Sequence, residues 1–135
     1  MSTLDDQIEE FLSARHFAVA GASDNPEKYG HKCFAALQNS GRNVYPIHPV
    51  AQTVLGQAAF TSLSAIPQPV ESLSIVTSPA VTEKLVDEAI AAGVKNIWMQ
   101  PGAESPAAVE KATQAGLNVI SGGPCLLVTL ATRKK

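Results

Sequence analysis

Phe17-Ala18-Val19-Ala20-Gly21-Ala22-Ser23-Asp24-Asn25-Pro26-Glu27-Lys28-Tyr29-Gly30 is an apolar run that stops at a glycine and gives way to a polar turn. The four residues before Gly21 have the length and continuous apolarity of a strand buried on both faces, as parallel sheets require. Gly21, Ser23, Asn25 and Pro26 punctuate a tight loop, and Cys33-Phe34 and Leu37 resume at helical spacing. A strand, a loop of small residues and a helix start together aim unpaired backbone N–H groups and a positive helix-dipole end at one point. Anions bind at such points.

The rest of the chain repeats the phrase. Ile8, Phe11 and Leu12 mark one face of a helix over about residues 3 to 14, part of an N-terminal segment 1–14 that is expected to cap one edge of the sheet. After the helix of about 28 to 40, Gly41 is a natural stop, and Asn43 to Pro49 reads as the second strand and its exit. Pro46 removes a ladder hydrogen bond, so this strand is expected to be short, at an edge or bulged. Residues 50 to 71 are broken by Gly56, Pro67 and Pro69, with room for a small strand near Ala58–Phe60 and one helical turn near Leu63–Ile66. Leu73–Val76 is a strand, and Ser78-Pro79 opens a helix whose stripe is Val81, Leu85, Val86, Ala89 and Ile90, ended by Gly93. Strand Asn96–Met99, helix start Ser105-Pro106, stop Gly116, strand Leu117–Ile120 and a short apolar tail helix follow. Trp98 and Met99 alternate, so one faces each layer, and Arg133-Lys134-Lys135 complements the tail helix's negative end.

Five apolar strands alternating with helices predict an α/β fold, one doubly wound domain over residues 1–135 with a five-stranded, mainly parallel sheet between two helical layers. Ligands bind such sheets at the carboxyl ends of the strands, where the strand order reverses. The loops meeting there are 21–30, 48–50, 77–80, 100–105 and 121–125.

Composition narrows the partners. Hydrophobic residues make up 45% and charged residues 16%, and the net charge of -2 gives no reason to expect nucleic acid or membrane. Two cysteines, Cys33 and Cys125, are too few for a disulfide framework or a zinc site, and no metal is expected. With no signal-peptide pattern and no membrane-length apolar run, the chain reads as cytoplasmic. The first ten residues hold Asp5, Asp6, Glu9 and Glu10, whereas none lies between Glu27 and Glu71, a window that contains Lys28, His31, Lys32, Arg42 and His48. A ligand with several phosphates fits that window.

A nicotinamide dinucleotide is the first candidate for a strand-glycine-helix opening, yet only Gly21 fits G-x-G-x-x-G: Ser23 and Pro26 stand where the second and third glycines belong. His48 replaces the acid that would hold a ribose 2′-hydroxyl, and Lys28, Arg42 and His48 suit a phosphorylated ribose better than a bare one.

Gly21 to Pro26, Tyr45-Pro46-Ile47-His48-Pro49, Gly56 ahead of Ser62-Leu63 and Ile66-Pro67, and Trp98-Met99-Gln100-Pro101-Gly102 come in an order that resembles the small CoA-binding domain family, itself similar to the N-terminal domain of the succinyl-CoA synthetase α subunit. The likeness covers about residues 12 to 126. It implies a Rossmann-like fold that binds coenzyme A, with Gly21, Ala22, Ser23, Asn25, Pro26 and Lys28 near the pyrophosphate. Pro46, His48 and Pro49 would then lie by the ribose 3′-phosphate and adenine, Thr77, Ser78 and Pro79 would line the other side, and Gln100 and Gly102 would lie at the crevice. Ser23 can donate to a phosphate oxygen, Lys28 supplies charge, and prolines offer adenine a flat apolar surface.

This chain departs from the family pattern at His48, often Asn, at Thr77-Ser78, often a Phe-Arg pair, and at Gly122-Gly123-Pro124-Cys125, which leans toward the synthetase subunit's Gly-Pro-x-Cys ending. Cys125 can be read as a nucleophile at a helix start, though a buried structural cysteine is the plainer reading; Cys33 reads as core and His31 as a surface or packing residue. The expectation is a coenzyme A or acyl-CoA binding module without catalytic machinery, with a protein partner or a homo-oligomer as its macromolecular context. The alternatives are an NAD(P)-dependent oxidoreductase and a CoA-binding subunit of a multi-chain acyl-CoA synthetase.

Overall fold

The structure, a computed structural model, describes residues 3–132; the basic end Arg133 to Lys135 lies outside them. Its elements in chain order are α1 (Leu4–Leu12), β1 (His16–Ala20), α2 (Tyr29–Asn39), β2 (Asn43–Ile47), β3 (Thr53–Val54), β4 (Gln57–Ala58), a single 3-10 turn (Leu63–Ala65), β5 (Ser72–Ile75), α3 (Pro79–Ala92), β6 (Asn96–Met99), α4 (Pro106–Gln114), β7 (Asn118–Ile120) and α5 (Leu126–Thr132). The main sheet is wholly parallel in the order β2-β1-β5-β6-β7, and β3 and β4 form a separate antiparallel hairpin. From β1 the chain steps outward to β2, then returns past β1 to β5, so the order reverses between β1 and β5. This is the doubly wound α/β architecture that the strand pattern predicts.

Side chains alternate in direction along the strands, so the sheet supplies two cores, with β5 sending Leu73 and Ile75 to one and turning Ser72 and Ser74 to the other face. One gathers Ala18, Ala20, Leu73, Ile75, Ile97 and Met99 against Leu85, Val86 and Ala89 of α3 and Ala108 and Ala112 of α4. The other gathers Phe17, Val19, Trp98 and Ile120 against Phe11 of α1, Cys33, Phe34 and Leu37 of α2, and Leu126 of α5. Trp98 and Met99 face opposite layers as expected.

Several local expectations change in three dimensions. Val81 and Ile90 of α3 are exposed, and Thr82 is buried in their place. The Thr82 hydroxyl tolerates burial because it is paired with Thr77 Oγ1 and the Ser78 carbonyl. Pro46 lies inside a five-residue strand, not at its exit. Its carbonyl accepts from Phe60 N–H, away from β1, so the missing N–H falls on the outer side of an edge strand and costs no ladder bond to β1. Helix α1 does more than cap an edge. Gln7 donates to the Val119 carbonyl of edge strand β7, while Phe11 packs edge-on against Phe17 and Trp98 within the layer. Across the strand starts Asn118 donates to Asn96, Asn96 to Ser72, and Ser72 to the Phe11 carbonyl, which satisfies polar side chains that the sheet buries. Arg42 belongs to this end as well, over the Phe17 ring and bonded to the Leu12 carbonyl, so it is far from the carboxyl edge of the sheet and unsuited to a ribose phosphate.

Two glycines set how closely the elements approach at the other end. A Cβ on Gly30, the second residue of α2, would lie 1.9 Å from the Gly21 carbonyl oxygen, and a Cβ on Gly21, at φ +90°, would lie 2.0 Å from the Val76 carbonyl oxygen. Gly30→Ala should therefore lower unfolding free energy by about 2–4 kcal/mol, read by urea denaturation with Trp98 fluorescence. Gly41→Ala, with nothing within 4 Å of its Cβ, should cost about 1 kcal/mol; equal losses would contradict the close contact.

Candidate functional site

The loop from Gly21 to Lys28 is built from its own short side chains. Ser23 Oγ accepts from Asn25 N–H and Asn25 Oδ1 from Glu27 N–H, both at 3.0 Å, which folds consecutive turns without sheet or helix partners. His31, half-buried in the first turn of α2, donates from Nδ1 to the Ser23 carbonyl at 2.9 Å. Asp24 accepts from Leu55 N–H at 2.7 Å and ties the loop to the β3-β4 hairpin, whose Leu55-Gly56 turn has positive φ at both residues.

Helix starts differ in what they leave open. Thr3 caps α1 in a reciprocal box with Asp6, and Ser105 caps α4 by accepting from Ala108 N–H. Lys28 and Ser78, at the cap positions of α2 and α3, make no side-chain cap bond. The first-turn N–H groups of Tyr29, Gly30 and His31, and of Ala80 and Val81, are thus left by the helix geometry without helical carbonyls. These two helices follow β1 and β5, the strands between which the sheet order reverses.

The residues singled out from sequence distribute around that point. Gly21 ends β1, with its N–H bonded to the Ile47 carbonyl. Ala22 is buried in the α2-side core and offers only backbone, while Asn25, Pro26 and Lys28 are exposed and Ser23 is partly exposed. Thr77 is partly buried through its bond to Thr82, and Ser78 and Pro79 are exposed at the start of α3. His48 follows β2, and its Nδ1 accepts from Val50 and Ala51 N–H, so the ring proton sits on Nε2 and remains a donor. Pro49 is exposed beside it and Pro46 is buried in the strand. Gly102 N–H is taken by Glu104. Gln100 departs from its expected place at the crevice surface: it is fully buried, accepts from Leu126 N–H through Oε1 and donates to Ser74 Oγ. It braces the floor.

Two residues gain an importance that the sequence reading does not give them, Gly30 and Tyr29, and Cys125 gains a partner in Tyr29. The Tyr29 hydroxyl is hydrogen-bonded to Cys125 Sγ and lies 3.4 Å from Gln100 Oε1. Burial first, and the neighbouring thiols second, push the Tyr29 phenol above its usual range. Cys125 is partly exposed, not a buried structural thiol. Cys33 is core, as expected, and burial, aided by Cys125, pushes its thiol up to about 12 against the opposing Tyr29 hydrogen bond. Among the described residues no helix is long and apolar enough to cross a membrane.

The fold and its two open helix starts define a small doubly wound α/β domain whose uncapped α2 and α3 flank the switch point of the sheet. The chain belongs to the CoA binding domain family, whose model matches residues 15–131. It is 26% identical over 129 residues to YneT, an uncharacterised protein of Bacillus subtilis, with 95% of each chain covered. It is 32% identical over 91 residues to the acetate–CoA ligase (ADP-forming) II subunit alpha of Pyrococcus furiosus, covering 67% of this chain and 20% of that subunit. A solved hypothetical protein of Pyrococcus horikoshii superposes with a TM-score of 0.88 at 30% identity, over 94% of this chain and 89% of its own.

Cys33 supplies a test of the buried cluster. Its folded-state pKa lies above the unfolded value, so its contribution to stability is whole below about pH 9 and is lost as pH rises toward about 12. In reductant, unfolding free energy should fall through that window by up to about 1.4 kcal/mol per pH unit for this thiol. Cys33→Ala should remove that share of the slope, whatever its effect at neutral pH; an unchanged slope would contradict a neutral buried thiol.

Proposed function

We propose that the protein binds coenzyme A or its acyl thioesters and has no catalytic machinery of its own. The observation that carries this reading is the pair of uncapped helix starts, α2 and α3, flanking the switch point of a chain that belongs to the CoA binding domain family. The diphosphate lies across the Gly21–Lys28 loop, where amide hydrogens of the first turn of α2 and the Lys28 ammonium offset its charge. Ser23 keeps its hydroxyl proton for a phosphate oxygen, because its oxygen is already the acceptor for Asn25 N–H. His48 Nε2–H and Pro49 lie by the ribose phosphate and adenine, and Thr77, Ser78 and Pro79 form the opposite wall.

Presentation of the cofactor to a separate catalytic chain is the second reading, favoured by the 32% identity to a ligase subunit of which this chain spans only 20%. A cytoplasmic location accords with both readings and with two free thiols.

Calorimetric titration tests the ligand class. Coenzyme A and acetyl-CoA are expected to bind one per chain, NAD and NADP not to bind, and Lys28→Ala to weaken coenzyme A by about fivefold. Binding of NAD or NADP without coenzyme A would overturn the reading.

A further inference from the structure

Asp24 places a carboxylate in the middle of the Gly21–Lys28 loop, where a negative charge opposes a diphosphate. That carboxylate is committed elsewhere: its Oδ1 accepts from Leu55 N–H at 2.7 Å, across 31 positions of sequence. Leu55, at φ +49°, is the one non-glycine residue with positive φ among the described residues. An L side chain holds that conformation only where its surroundings fix it. Here Asp24 takes the N–H, the Gln38 amide of α2 lies 3.5 Å from the Leu55 carbonyl oxygen, and the Leu55 side chain packs on the same core as the buried Val54.

The hairpin tipped by Leu55 is the far end of an excursion that leaves the sheet at His48 and returns at Phe60. Its base is closed by His48 N–H donating to the Phe60 carbonyl at 2.9 Å and Phe60 N–H donating to the Pro46 carbonyl at 3.0 Å. Its first turn folds on the His48 ring, whose Nδ1 accepts from Val50 and Ala51 N–H. Ala59 N–H then donates to the Gln52 carbonyl and leads into the paired strands β3 and β4. Hydrogen bonds therefore run from the His48 ring to the hairpin tip, and through Asp24 to the loop folded by Ser23 and Asn25.

We propose that Asp24 is a positioning residue of the nucleotide site. By holding the hairpin tip it fixes the spacing between the loop that takes the diphosphate and the His48 ring that takes the ribose phosphate, and so favours a nucleotide carrying both. The placement of those two phosphates rests on the proposed function above. A bare charge at Asp24 has the opposite consequence, since its removal tightens the binding of any polyanion. Asp24→Asn separates the two effects, because it keeps an acceptor oxygen and drops the charge.

Calorimetric titrations with coenzyme A and 3′-dephospho-coenzyme A compare wild type, Asp24→Asn and Asp24→Ala, and hydrogen exchange measured by NMR follows the Leu55 amide in each. Asp24→Ala is expected to bind coenzyme A about tenfold more weakly and the dephospho form within about twofold of wild type, while Asp24→Asn stays within about twofold for both. The Leu55 amide should exchange about tenfold faster in Asp24→Ala and near the wild-type rate in Asp24→Asn. Because Asp24 is exposed, the amides of β1 and β5 should keep their protection in both variants. Tighter coenzyme A binding in both variants would make Asp24 an opposing charge and overturn the proposal. Unchanged coenzyme A affinity in Asp24→Ala, equal weakening toward the two ligands, weakening in Asp24→Asn as large as in Asp24→Ala, an unchanged Leu55 exchange rate or lost protection across β1 and β5 would overturn it as well. If the wild-type protein binds neither ligand, the proposed function fails, and the Leu55 exchange rates still decide whether Asp24 holds the hairpin.

Discussion

The close approach of three backbone segments at Gly21, Gly30 and Val76 governs the carboxyl end of the sheet. With no Cβ on either glycine, the second residue of α2 rests against the carbonyl that ends β1, and Gly21 rests against the carbonyl that follows β5. Any larger residue would push α2 outward and separate its open amide groups from the switch point. The two requirements are independent: Gly21 needs both space and positive φ, whereas Gly30 needs space alone. Glycine near a helix start lowers helix stability, so tertiary contact at Gly30 outweighs local preference.

In the proposed site, Ser23, Lys28, His48 and Ser78 supply the walls, all of them small polar or at least partly exposed groups. The floor is closed by Gln100, whose amide is committed to Leu126, Ser74 and Tyr29. A fixed floor and open helix starts suit a site that holds charge by backbone geometry, with little reorganisation when a ligand arrives.

Most of the architecture was legible because it depends on short-range pattern. The strands of the main sheet are short, largely apolar runs bounded by polar or turn residues, apart from β5, where Ser72 and Ser74 alternate with Leu73 and Ile75, and Ser105-Pro106 and Gly93 mark helix ends by local chemistry. The parts that were not legible depend on partners distant in sequence. A stripe drawn through α3 selects Val81 and Ile90 as readily as Thr82, since it is the Thr77 hydroxyl together with the Ser78 carbonyl that makes burial of Thr82 acceptable. Gln100 has the residue type of a crevice ligand, and only the arrival of Leu126 and Ser74 shows that its amide is used. Tyr29 and Cys125 are 96 positions apart, with no periodicity to connect them. Gly30 did leave a signal: a glycine just inside a helix, nine residues after the turn glycine, has a reason in close packing though not in the dinucleotide spacing.

The central claim, that the α2 and α3 starts form one anion-binding crevice, is tested most directly by amide chemical-shift mapping of 15N-labelled protein during titration with coenzyme A. The largest changes should fall on Ala22 to His31 and on Ala80 and Val81, with smaller ones after β2 at His48. Changes concentrated instead around Leu63 to Val70, or at the capped start of α4, would contradict it.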